Sequence, residues 1–196
     1  MGDDKGVAVN GGQSAGAGES LEATPGRGLQ AQLRALLDKQ AIWEVMLRYC
    51  RGIDHRDHEL VRSTYHPDAY DDHGSFVGGI DDLIAANSTE PEGWVTRTST
   101  HMIGNCLIEL DGDIAHVETY FLVHKPVAIN DVGHMRVRAG RYLDLFERRD
   151  GEWRIKRRTV VDDYNRLDES SVPPEGRTPG RFGLDDPVYA FLRSTS

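Results

Sequence analysis

Between residues 97 and 165, four strand-like segments follow one another with only short breaks, and this run limits the possible folds more than any other feature of the chain. The segments are 97–110, 114–125, 134–148 and 152–165. Asp111-Gly112-Asp113 and Asp150-Gly151 separate two of the pairs and carry the turn chemistry of antiparallel hairpins. Gly140 marks a bulge in the third segment. Helical periodicity lies upstream. Ile42, Met46, Tyr49 and Ile53 form one apolar stripe, which Leu33, Leu36 and Leu37 extend, predicting a helix over 30–55. Asp57 is placed to cap a second short helix carrying Leu60, Val61 and Tyr65, which His66-Pro67-Asp68 stops. A short strand at 69–71 and a small helix at 80–86 follow. Helices followed by an antiparallel meander make an α+β fold rather than βαβ alternation. Strands of this length twist, so the sheet is expected to curve around the helices.

The rest of the 196 residues divides around this body. Residues 1–28 hold 8 of the 21 glycines and no aromatic residue, so they cannot offset their chain entropy by burial and read as a disordered tail. The body is 29–166. Residues 167–196 are turn-rich but end in Pro187-Val188-Tyr189-Ala190-Phe191-Leu192, which suits a segment docked on the body or on a neighbouring subunit as an oligomer contact. Net charge is −9, divided −2, −5 and −2 among the three segments, so no part is net basic. A nucleic-acid partner is therefore not expected. The same sign disfavours an anionic substrate and points to a neutral, apolar small molecule. No apolar run reaches the 18 or so residues of a membrane span, and Met1-Gly2-Asp3-Asp4 does not open a secretory signal. Cys50 and Cys106 give neither a disulfide framework nor a CxxC pair, consistent with a cytoplasmic protein.

Alternation divides 97–110 into His101, Ile103, Asn105 and Leu107 on one side, and Thr100, Met102, Cys106, Ile108 and Leu110 on the other. Both sides are half apolar. A turn pairing Leu110 with Asp113 puts Tyr120 and His124 on the face of His101. A turn one residue longer brings Phe121 and Val123 there instead, and the sequence leaves both open. With apolar residues on both faces, the sheet needs a second covering surface, from which a homo-oligomer (dimer or trimer) is inferred.

The strongest candidate site combines Tyr49 and Asp54, at the end of the first helix, with His101. A carboxylate beside a core-facing stripe is costly unless paired, and an Asp–His pair is a general-base arrangement. The plainer alternative is a helix-end aspartate and a satisfied core histidine. His55, His58, His66, Asp68, Asp71, Asp72 and His73 form a dense polar cluster, but without rigid ligand spacing they read as solvated loops rather than a metal site. Arg148, Arg149, Arg154, Lys156, Arg157 and Arg158 read as solvated strand positions paired with Asp144, Glu147 and Glu152. There is no phosphate loop, no GxSxG elbow and no zinc-finger spacing.

The runs Asp38–Ile42, Arg48–Asp57, Thr100–Asn105, Gly140-Arg141-Tyr142 and Arg149–Ile155 resemble the SnoaL-like family of the nuclear-transport-factor-2-like superfamily. The resemblance covers about 33–166. It implies a cone-shaped half-barrel, a curved, mostly antiparallel sheet wrapped around N-terminal helices enclosing a deep apolar pocket, with the C-terminal extension 167–196 as a lid over its mouth. The family includes cofactor-free lyases such as scytalone dehydratase, hexachlorocyclohexane dehydrochlorinase and bile-acid 7α-dehydratase. Their shared aspartate and histidine fall on Asp54 and His101, and the bile-acid enzyme's tyrosine falls on Tyr49. Asp162 stands where that enzyme has an arginine. The expected activity is thus a cofactor-independent, dehydratase-like lyase or isomerase acting on an apolar cyclic molecule. Asn105, Tyr120, His124 and Trp94 are the candidate substrate contacts. The alternative is a non-catalytic ligand-binding or assembly subunit resembling the small subunit of aromatic-ring dioxygenases.

Overall fold

The computed structural model of the protein describes residues 25–170 and 178–194. The elements run α1 (Pro25–His55), α2 (His58–Ser63), β1 (Tyr65–Asp72), β2 (Val77–Gly78), α3 (Ile80–Ser88), β3 (Trp94–Thr96), β4 (Thr100–Asp111), β5 (Ile114–Ile129), β6 (Val132–Arg149), β7 (Glu152–Glu169), a short 3₁₀ turn (Gly183–Asp185) and α4 (Pro187–Arg193). The disordered tail expected for 1–28 lies outside the described residues, except that residues 25–28 form the first turn of α1. Among the described residues, no helix is long and apolar enough to cross a membrane.

The sheet is ordered β2-β1-β7-β6-β5-β3, with β4 also paired to β5. It is antiparallel except where β1 joins β7 in parallel. The long β5, β6 and β7 curl over α1, which gives the half-barrel expected from the sequence. The His66-Pro67-Asp68 stop does end α2, but it opens β1 rather than a loop.

Local chemistry sets the helix ends. Asp57 caps α2 by accepting the Leu60 N–H at 3.0 Å. Arg56 takes up positive φ, and the chain folds back so tightly that a Cβ on Gly52 would lie 2.7 Å from Val61 Cγ2. This close approach holds the end of α1, which carries Asp54, beside α2. The apolar stripe of α1 is buried from Ile42 onward, whereas Leu33, Leu36 and Leu37 are exposed.

Three irregularities decide which side chains face inward. The β4–β5 register shifts between Gly104 and Cys106, at Asn105, whose φ is +41°. His101 and Ile103 therefore face the same side as Cys106, Ile108 and Leu110. The β6–β7 register shifts between Leu145 and Phe146 and again between Ala139 and Gly140. The second shift falls at Gly140, where the sequence suggested a bulge, and a Cβ there would lie 2.0 Å from the Val161 carbonyl oxygen.

The shift near Leu145 corrects one reading. Arg158 does not lie on a solvated strand position: with Trp153 and Ile155 before it, it points into the core and is fully buried. Its guanidinium meets both Asp144 carboxylate oxygens at 2.7 Å and lies 4.1 Å from the centres of the Tyr49 and Tyr142 rings. The other basic residues do pair at the surface, Arg149 with Glu147 and Asp68 and Arg154 with Glu152.

Removing one member of this pair leaves an uncompensated buried charge. We expect Asp144→Ala to destabilise the fold by about 3–5 kcal/mol, while an apolar double replacement of Asp144 and Arg158 recovers much of the loss. Urea unfolding of the two variants checks both expectations.

Candidate active site

The bulge at Asn105 turns His101 inward, and the end of α1 presents Asp54 to it. Asp54 Oδ2 accepts the His101 backbone N–H at 2.8 Å, and Oδ1 lies 2.6 Å from His101 Nδ1. A carboxylate can only accept, so Nδ1 carries the proton and Nε2 is left as an acceptor with no hydrogen-bond partner among the described residues. Burial raises the Asp54 carboxyl, but the bonds and charge of His101 outweigh it and hold the group below the usual carboxylate range. Burial lowers the His101 imidazole below its ordinary value. Asp54 opposes that shift, while the cations Lys125 and Arg138 add to it.

His101 lines a chamber of about 30 Å³ together with Tyr49, Phe121, Tyr142 and His73. Ile53, His73, Asn87, Lys125 and Arg138 line both this chamber and an adjoining cavity of about 210 Å³. Trp94, Phe76 and Ile84 supply apolar walls to the outer part. Tyr49 is 1% exposed. Burial pushes its phenol pKa well up, so the hydroxyl stays protonated although Arg158 opposes the shift. Cys50, one residue on, has its thiol pushed up to about 12 by burial, which leaves it an inert core residue.

Of the expected substrate contacts, only Trp94 lines the cavity. Tyr120 and His124 do not. The turn is Gly112-Asp113, with Asp111 opposite Ile114, and the bulge then places His101 opposite Val123 and Ile103 opposite Phe121. Tyr120 and His124 consequently face outward, Tyr120 being 44% exposed. Asn105 is exposed as the bulged residue itself and does not share a face with His101. The outer face also exposes Met102, Leu107 and Leu143.

The polar cluster of the α2–β1 region disperses. His66 Nε2 meets the Glu147 carbonyl, Asp68 pairs with Arg149 and Lys156, and Asp72 accepts the Gly74 N–H. No three His, Cys, Asp or Glu side chains among the described residues converge on one point. His73 was read as part of a solvated loop, but it stands on the chamber. Its Nδ1 meets Asp71, which also accepts the Tyr65 hydroxyl at 2.6 Å. Asp71 is held below the usual carboxylate range although its burial acts the other way.

Residues 34–159 match the SnoaL-like domain. The chain belongs to the SnoaL-like family. Solved structures of similar fold include a hexachlorocyclohexane dehydrochlorinase, LinA type 2 (18% identity, 74% of this chain and 99% of that one, TM-score 0.65). LinA-type3 from Novosphingobium barchaimii LL02 aligns at 21% identity over 73% of this chain and 99% of that one, TM-score 0.63. A candidate scytalone dehydratase from Novosphingobium aromaticivorans DSM 12444 aligns at 21% identity over 74% and 97%, TM-score 0.59. At these identities the likeness is one of fold. No curated protein sequence matches the chain significantly.

The site of this SnoaL-like chain also contains residues that sequence reasoning missed. Arg136 and Arg138 share a face with Gly140, Tyr142 and Asp144, and Lys125 continues the inward set Thr119, Phe121, Val123. The i, i+2 spacing carried this signal but became readable only once one member of each strand was known to face inward. The matching of Asp162 to a relative's arginine also changes meaning. Arg138, on the next strand, supplies a guanidinium to the cavity wall, and Asp162 holds it by three bonds of 2.7–3.1 Å. Beyond β7, Phe182 lies against Arg56 at 3.9 Å and lines the cavity, and the Tyr189 hydroxyl donates to Asp57 at 3.0 Å.

Replacing Asp54 by alanine removes both restraints on His101. We expect faster hydrogen exchange at the His101 amide in Asp54→Ala, measured by NMR, with the β5–β6 amides unchanged.

Proposed function

We propose that the protein is a cofactor-independent lyase or isomerase that removes a proton from carbon on an apolar, cyclic small molecule. The observation that carries this reading is the double grip of Asp54 on His101, which leaves an unprotonated imidazole nitrogen on an enclosed chamber. His101 Nε2 would take the proton. Asp54 would keep the tautomer and stabilise the imidazolium as it forms. Tyr49 would donate a hydrogen bond to a substrate carbonyl as negative charge develops there.

His73, whose Nδ1 is hydrogen-bonded to Asp71, gives the site a second imidazole. In an elimination, the C–H electron pair becomes the new C=C bond and the C–O bond breaks. The departing hydroxyl leaves as water with a proton from His73. In an isomerisation the proton taken by His101 returns to another carbon. Phe182 and the Tyr189–Asp57 bond support reading the C-terminal extension as the cover of the cavity mouth.

The test is turnover of cyclic β-hydroxy ketones, followed by the ultraviolet absorbance of the conjugated enone. His101→Ala should lower kcat by about 10²–10⁴-fold while circular dichroism shows the variant still folded. Retention of full activity would remove His101 from the mechanism. His73→Gln should slow elimination more for substrates with poor leaving groups than for those with good ones. The base must be neutral, and its folded pKa lies below the ordinary 6.5. The acid limb of kcat/KM should therefore fall below pH 6.5, with activity lost as pH drops through it. A limb above pH 7 would contradict the assignment.

A further inference from the structure

The wall of the cavity carries a local charge opposite to that of the whole chain. Lys125 on β5 is paired across the ladder with Arg136 on β6, and Arg138 lies two residues further along the same inward face. Arg56 enters the same cavity from the end of α1. Like charges directly opposite one another destabilise a sheet, so this arrangement calls for anions. The anions present do not suffice. Glu90 is taken by Arg56 at 2.9 Å and by the Thr96 hydroxyl, and Asp162 is taken by Arg138. Arg136 meets only the neutral Asn165 side-chain oxygen, at 3.3 Å. Lys125 has no ion pair among the described residues.

We propose that Lys125, flanked by Arg138 and Arg136, is a binding subsite for a carboxylate on the substrate. The position fits that role. Lys125 and Arg138 line both the outer cavity and the His101 chamber, so a carboxylate held there fixes the distance from the anion to the carbon that His101 addresses. Trp94, Phe76 and Ile84 are left to hold an apolar skeleton. Arg138's fork is filled by Asp162, which leaves the new anion to the ammonium of Lys125 and to Arg136 rather than to a bidentate arginine clamp. Burial, with the repulsion of Arg138 and Arg136, lowers the Lys125 ammonium pKa, and a bound carboxylate would reverse that. The net charge of −9 thus does not describe the cavity, because the potential in a walled cleft is set by the charges lining it.

The proposal rests on the cavity being the substrate site, so its test reads binding rather than turnover. The probes are cyclohexanecarboxylate, cyclohexanecarboxamide and inorganic phosphate, titrated calorimetrically into the full chain at low and moderate salt. The carboxylate should bind at least about tenfold more tightly than the amide, and its Kd should rise with salt. Lys125→Met should weaken carboxylate binding about tenfold or more without changing amide binding, while Lys125→Arg restores much of it. The Lys125→Met variant removes a buried like charge and is expected to fold, which thermal melting verifies. Equal affinity for acid and amide, or unchanged carboxylate binding in Lys125→Met, would overturn the subsite. Phosphate binding as tightly as the carboxylate would overturn its assignment to a carboxylate on an apolar skeleton. His101→Ala should bind the carboxylate like the parent. A failure of turnover with binding intact therefore removes the reaction and keeps the subsite, and the converse removes only the subsite.

Discussion

The buried ion pair of Arg158 and Asp144 is the interaction on which the remaining architecture rests. Its guanidinium is fully enclosed and touches α1 through Met46 and Tyr49, β1 through Tyr65, and β6 through Asp144 and Tyr142. Burial pushes the Asp144 carboxyl up while Arg158 pulls it down. The arginine keeps its proton, so its positive charge stays at the centre of the core. Such a pair contributes little net stability over an apolar replacement, but breaking it leaves a buried charge uncompensated. Around it Phe121 stacks on Tyr142, with ring centres 4.6 Å apart, and Tyr49 lies edge-on to Tyr142 at 5.8 Å. These three rings line the chamber that His101 shares.

The site is therefore held from two sides. The core pair fixes the aromatic floor, and the tight α1–α2 turn, permitted by Gly52, fixes the carboxylate. The Asn105 bulge completes the set by turning His101 toward Asp54. A strand with unbroken alternation could not have placed both His101 and Ile108 inside. The sheet gives up one regular residue at Asn105, and the site gains a histidine held by main chain and side chain together.

Charge is distributed on the same principle. The acidic surplus of the chain sits largely on surfaces where water screens it. The basic residues of β5 and β6 that face inward are concentrated at one cavity wall. A chain that is acidic as a whole thus presents a cationic lining to whatever enters. Total charge averages over surfaces that a ligand in the cavity does not touch.

The sequence by itself determined the order of the helices and long strands, the capped α2 and the hairpin turns. Each of these depends on local chemistry or short spacing. Which side chains share a face was decided only by the tertiary structure. One residue of register moves every later side chain of a strand to the other face, as the shifts at Asn105 and near Leu145 do here. This is why Tyr120, His124 and Asn105 lie outside, why Arg158 lies at the centre of the core, and why Lys125, Arg138 and His73 converge on the cavity. Their residue types were visible in the sequence, but their meeting depended on contacts between segments tens of residues apart.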